Sequence, residues 1–168
     1  HRATFAESAT KIGKCALMMA SSHVGHDCVV GDNYIAGCFS ALAGHVHVGK
    51  DVFVSGGVMI HQRVRIGDGV IVSGNSASSM DIPPYTIAHS RNRLSGLNLI
   101  GMTRRKMPRA EIAEVKSLYA GVYANPSARK NALALIESGA AKTPAGENFL
   151  NFFAAEGRHY LSPFTGRE

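Results

Sequence analysis

The chain has no tryptophan and only 7% aromatic residues in 168, which argues against a core built on large rings. Its three cysteines, Cys15, Cys28 and Cys38, form no Cys-x-x-Cys pair. They read as small reduced core residues of a cytosolic protein and exclude a disulfide frame. No apolar run approaches the roughly 18 residues of a spanning helix, and no signal-peptide pattern opens the chain. Acids are scarce, 12 against 18 Lys and Arg, for a net charge of +6. Much of the excess lies in one segment. Arg91, Arg93, Arg104, Arg105, Lys106, Arg109, Lys116, Arg129 and Lys130 face only Glu111 and Glu114. Such a segment fits nucleic acid, phosphorylated metabolites, an acidic carrier protein or plain solvent. No phosphate loop, Ser-His-Asp order or nucleic-acid motif accompanies it. Apolar content of 45% excludes wholesale disorder.

What the chain does have is a period of six. Ile12, Met18, Val24, Val30, Ala36, Leu42, Val48, Val54, Ile60, Ile66 and Val72 are all apolar. A tiny residue usually follows, as at Gly13, Gly25, Gly31, Gly37 and Gly49, where a sharp turn is expected. A second inward position lies two residues earlier, as at Cys28, Ser40, Val46, Val52, Val58, Val64 and Val70. A hexapeptide repeat of this kind is the signature of a parallel β-helix, in which three repeats close one coil. Residues 18 apart then stack.

Three regions follow. Residues 1–80 read as the solenoid, with Thr4, Ala6 and Thr10 fitting its frame loosely. Residues 81–107 read as a linker, because Pro83 and Pro84 cannot continue a coil. Residues 108–168 read as a small helical bundle. Its first helix starts at Pro108 and buries Ile112, Val115, Leu118, Tyr119 and Val122. A second opens on Asn125-Pro126 with Leu133, Leu135 and Ile136 and stops near Gly139, and a third runs from about Pro144 to Ala155. With His1 in place of Met and no polar cap over residues 1–11, the chain reads as a fragment of a longer solenoid.

Five of the eight histidines lie between His23 and His61. Stacking aligns Asp27 with His45 and Arg63, His26 with Gly44 and Gln62, and Gly25 with Ala43 and His61. His26, Asp27, Gly44, His45, His61 and Gln62 are therefore expected around one corner. Three chemistries fit them. One is general-base catalysis with a carboxylate fixing the imidazole tautomer. Another is a zinc site of three imidazoles. The third is a set of solvated corner residues. His1, His89 and His159 read as ordinary surface histidines.

His23-Val24-Gly25-His26-Asp27-Cys28, Leu42-Ala43-Gly44-His45-Val46 and Ile60-His61-Gln62, taken in order, resemble the acyl-[acyl-carrier-protein]–UDP-N-acetylglucosamine O-acyltransferases of lipid A synthesis. Asp81-Ile82-Pro83-Pro84-Tyr85, Gly96-Leu97-Asn98, Gly101 and Arg104-Arg105 extend the likeness over nearly the whole chain. The resemblance implies a left-handed parallel β-helix with a C-terminal helical part, working as a cytoplasmic homotrimer. It implies direct transfer of a (3-hydroxy)acyl chain from acyl carrier protein to the 3-position of UDP-N-acetylglucosamine, the first step of lipid A synthesis. No cofactor is implied beyond the donor's phosphopantetheine, and no metal.

By the same resemblance His26 is the general base, Asp27 assists it, and the Gly44 N–H is the oxyanion donor. His23, His45, His61 and Gln62 contact the sugar nucleotide or the acyl-phosphopantetheine. Gly74 lies where acyl-chain length is set. Asn98, Arg104 and Arg105 hold the uridine diphosphate, and the basic segment faces the acyl carrier protein. The sequence departs from the family at Ser21-Ser22, Gly37-Cys38 and Ile100, where Asn-Ala, an Asn pair and Glu are usual, and His47 is an addition. A γ-type carbonic anhydrase-like zinc site and an inactive, truncated or divergent binding module are the alternatives.

Overall fold

The period of six becomes geometry in a computed structural model that describes residues 3–4, 8–155 and 158–163. His1 and Ala6 lie outside the described residues. Each hexapeptide supplies one two-residue strand, and three strands close a coil. Face A stacks β1 (Lys11–Ile12), β4 (Val29–Val30), β7 (His47–Val48) and β10 (Arg65–Ile66). Face B stacks β2 (Leu17–Met18), β5 (Ile35–Ala36), β8 (Phe53–Val54) and β11 (Ile71–Val72), and face C stacks β3 (His23–Val24), β6 (Ala41–Leu42), β9 (Met59–Ile60) and β12 (Ala77–Ser78). All these pairs are parallel, and the register is 18, as in Ile12↔Val30, Val30↔Val48 and Val48↔Ile66.

The repeated apolar residues from Val24 to Val72 fill the prism, joined by the second inward column and by Tyr34, whose phenol occupies the same position. Ile12 and Met18 remain 46% and 39% exposed, with no described coil stacked beneath them. Cys28 is the only cysteine in this core. Cys15 and Cys38 occupy corner positions and are exposed, contrary to expectation.

The glycines that directly follow the repeated apolar residues do not make the turns. The chain turns two residues later, at a left-handed residue repeated every six positions. Cys15, Asp27, His45 and Arg63 hold such corners at φ 57, 59, 61 and 63°. Coil-on-coil approach is what requires glycine. A Cβ on Gly25 would lie 2.7 Å from the Ala43 carbonyl carbon, and one on Gly31 would lie 2.7 Å from that of Gly49.

Residues 81–107 differ from the expected linker. Ile82 bridges Ile66, β13 (Thr86–His89) adds to face B parallel to β11, and β14 (Arg93–Leu97) folds back antiparallel as its last strand. Pro83 and Pro84 are tolerated because neighbours carry the ladder: Gly67 donates to the Ile82 carbonyl and Tyr85 to Asp68. Helix α1 (Leu99–Arg104) follows.

Helices α2 (Arg109–Val122), α3 (Ala128–Glu137) and α4 (Pro144–Asn151) form the bundle. Helix α3 begins later than Asn125-Pro126 predicts, because the Asn125 side chain accepts from the Ser127 N–H in a local turn. Helix α4 ends before Ala155. Val115, Leu118 and Val122 of α2 are buried, with Ile112 and Tyr119 packed beside them. Aromatic residues, scarce overall, concentrate here: Phe149 and Phe153 pack 5.5 Å apart, and Phe153 lies 4.8 Å from Tyr160. Asp81 joins bundle to solenoid. Its buried carboxylate accepts from Arg65 Nε at 2.7 Å, while Arg65 Nη2 donates to the Phe152 carbonyl and the guanidinium lies 4.5 Å over that ring. No described helix is long and apolar enough to cross a membrane.

Candidate active site

The corner between faces C and A gathers most of the expected groups. Asp27 is in the left-handed region, which Asp tolerates better than most residues, and this turns its carboxylate back onto the preceding side chain. His26 Nδ1 lies 2.8 Å from Asp27 Oδ2. His45, one coil up, brings Nε2 to 3.8 Å from the same oxygen, and its ring meets that of His26 edge-on at 5.0 Å. Asp27 is 7% exposed, whereas the His26 side chain is 39% exposed.

The carboxylate also accepts from the Ser8 hydroxyl at 2.5 Å, the Thr4 hydroxyl at 2.6 Å and the Thr4 N–H at 3.1 Å. The Ser8 hydroxyl, then the Thr4 hydroxyl and His26, hold the Asp27 carboxyl well below the usual carboxylate range. Because Asp27 is acceptor-only, the His26 Nδ1 carries the hydrogen, so in the neutral ring Nε2 is the nitrogen with the lone pair. That face of the ring lies on Gly44, where any Cβ would collide with Nε2 and Cε1.

The Gly44 N–H donates to no described residue. Lys14 and Lys50 occupy the same place in their hexapeptides, and their N–H groups donate to carboxylate oxygens of Asp32 and Asp68 at 2.7 and 2.9 Å. An amide at this position thus points outward and takes an anionic oxygen when one is offered. An imidazole that can accept a proton and an amide that can donate to an anionic oxygen thus stand side by side.

The remaining expected residues divide among neighbouring places. His23 and His61 line a groove of about 390 Å³ along face C, floored by Ala41, Met59 and Ala77 and reaching Arg91. Gln62 is exposed one coil above Gly44. Gly74 is exposed at the corner between faces B and C, across face C from His26, where a Cβ would find 3.4 Å to the nearest atom. Arg104 and Arg105 are elsewhere, at the corner between faces A and B. Arg105 Nη2 reaches the Gly69 carbonyl at 3.4 Å, in a polar cleft of about 310 Å³ shared with Lys50, Asp68, Tyr85 and Lys106. Asn98 is buried and fully engaged. It caps α1 through the Gly101 N–H and donates to the Gly69 carbonyl, each at 2.9 Å. Sequence reasoning assigned no chemical role to Thr4, which it fitted only loosely to the repeat frame, or to Ser8, which neither the repeat nor any motif singles out.

Residues 81–161 match the family model described as UDP N-acetylglucosamine O-acyltransferase, domain 2. An acyl-[acyl-carrier-protein]–UDP-N-acetylglucosamine O-acyltransferase of Anaeromyxobacter dehalogenans is 39% identical over 150 residues, covering 89% of this chain and 58% of its own length. The protein of that name from Gloeothece citriformis is 34% identical, covering 99% of this chain and 59% of its own. Among solved structures, the UDP-N-acetylglucosamine acyltransferase from Campylobacter jejuni superposes with a TM-score of 0.84 at 31% identity, over 91% of this chain and 60% of that one. The chain therefore spans less than two thirds of the length of these relatives.

Proposed function

The chain belongs to the acyl-[acyl-carrier-protein]–UDP-N-acetylglucosamine O-acyltransferase family, and from that premise we propose that its C–A corner transfers an acyl chain from acyl carrier protein to the 3-hydroxyl of UDP-N-acetylglucosamine. The observation that carries this reading is the alignment of Asp27, His26 and the Gly44 N–H within one corner. His26 Nε2 takes the proton of the sugar hydroxyl, Asp27 stabilises the resulting imidazolium, and the Gly44 N–H receives the oxygen charge that develops on the thioester carbonyl. Transfer is direct.

The apolar floor of the face C groove suits the acyl chain, with His23 and His61 beside its thioester end and Gly74 across the face. His45 and Gln62 flank the sugar. Arg104 and Arg105 take the diphosphate, at the end of α1, whose start is capped by Asn98. They stand at a different corner from His26, so one ligand joins both sets of residues only where two copies meet. A homotrimer acting in the cytoplasm accommodates this, with 1–80 as solenoid, 81–107 as nucleotide-contacting segment and 108–168 as the bundle beside the acidic carrier.

A zinc reading has one observation in its favour: ligand atoms of His26, Asp27 and His45 lie within 4.8 Å of one another. Against it, Ser8 and Thr4 already occupy the carboxylate. Titration of UDP-N-acetylglucosamine into the chain decides. Saturable binding that persists in chelator and weakens with Arg104→Ala, together with acyl transfer lost in His26→Ala, supports the proposal. Turnover restored only by zinc overturns it.

A further inference from the structure

Asp27 is held from below by Thr4 and Ser8, two residues that no motif marks. Thr4 donates to it twice, through its N–H at 3.1 Å and its hydroxyl at 2.6 Å, and the Ser8 hydroxyl reaches the other oxygen, Oδ1. The main chain is held as well. The Asp27 N–H donates to the Thr10 hydroxyl at 2.9 Å, at a residue whose φ is 59°. Adjacent side chains on an extended strand point apart. Here the left-handed turn and the hydroxyls together direct the carboxylate onto His26 Nδ1. With Thr4 and Ser8 donating, the carboxylate has one orientation, and the plane it offers His26 is set.

We propose that Thr4 and Ser8 are positioning residues of the acyl-transfer site: they lock the Asp27 carboxylate, and through it the His26 tautomer whose Nε2 lies free over Gly44. The proposal rests on the acyl-transfer reading for its functional half only, since the tautomer is a property of the resting protein. Thr4 and Ser8 touch no reacting atom in this scheme. Loosening them leaves substrate binding intact and lowers the population of the competent imidazole, so kcat falls while KM for the sugar nucleotide holds.

The test is the combined variant Thr4→Val with Ser8→Ala, read by ¹⁵N NMR of the neutral His26 ring and by steady-state kinetics. The parent is expected to show hydrogen on Nδ1. The double variant is expected to shift toward hydrogen on Nε2, with kcat reduced about 10- to 100-fold, by analogy with the loss when a residue orienting a metal-bound imidazole is removed. Thr4→Ser, which keeps the hydroxyl, is expected to match the parent in both readouts, and the milder Ser8→Ala alone is expected to shift the tautomer partway. An unchanged tautomer ratio in a folded double variant overturns the proposal, as does loss of the tautomer equally in Thr4→Ser. A parent without acyl-transfer activity overturns the functional reading, while the tautomer measurement still decides what Thr4 and Ser8 do.

Discussion

At His26 the side chain that matters chemically is the one behind it. An amide at position 27 would present either an oxygen or an NH₂ to Nδ1 and lose the fixed negative charge that favours the imidazolium. Asp27→Asn is expected to lower kcat by about 10³–10⁴-fold, the loss a catalytic triad suffers from the same exchange, and to lower the melting temperature as well, because an amide cannot accept from Ser8, Thr4 and His26 together. Gly44→Ala probes the other face of the ring. Its Cβ cannot coexist with His26 where the ring now lies, so the imidazole is displaced and kcat falls about 100-fold, measured against an unchanged circular dichroism spectrum. His26, Gly44 and His45 were legible from spacing, because a period of 18 turns sequence directly into adjacency. The contact between His26 and Asp27 was not. It depends on a positive φ that the residue type permits but does not announce. Thr4 and Ser8 were invisible for a related reason: hydroxyl residues recur throughout the chain, and only their stacking under one carboxylate distinguishes them.

Among the elements, the strands follow from the repeat alone, since an aliphatic residue in a narrow prism has no alternative partner. Gly31→Ala puts a methyl group against the Gly49 backbone and is expected to cost about 1–3 kcal/mol by thermal denaturation, although alanine is otherwise a mild replacement. Ser76 is the converse case. Its hydroxyl is buried without a described partner in a column where Val58 sits one coil below, so Ser76→Ala is expected to stabilise the fold by about 1 kcal/mol. The pair β13 and β14 was not legible, because two prolines signal an interruption, whereas here they fall where no ladder bond is needed. In the bundle, the Glu114 carboxylate accepts from the Lys142 and Thr143 N–H groups at 2.7 and 3.1 Å, tying α2 to the start of α4. These bonds hold its pKa down. A lowered folded pKa stabilises above the unfolded value of about 4.3 and is lost as pH falls through the folded one. Stability is therefore expected to drop on acidification below about pH 4, and Glu114→Gln is expected to flatten that part of the melting profile.

For the molecule as a whole, the three faces differ in character. Face C presents a groove lined by His23 and His61. Face B presents Leu17, Ile35, Phe53, Ile71 and Ile87 outward in one apolar column. The proposed trimer is checked by light scattering, with an expected mass three times that of the chain, and by mixing His26→Ala chains with Arg104→Ala chains. If one site draws on two copies, the mixture recovers part of the activity that each lacks alone. The architecture was legible from the period, but the placement of Arg104 and Arg105 was not, because it depends on the path of the chain after the repeat ends.

The backward turn of β14 has a further consequence. A parallel ladder of coils is open-ended by construction, since each finished coil displays the unpaired N–H and C=O groups that would seed the next. Any other chain with the same pitch could continue it, and a rod that accepts one more layer accepts a thousand. By reversing direction after β13, the chain ends face B on a strand of opposite polarity, and it packs the bundle against the end of face A through Arg65 and Asp81. At that end the protein is a terminated crystal and not a seed for a fibre.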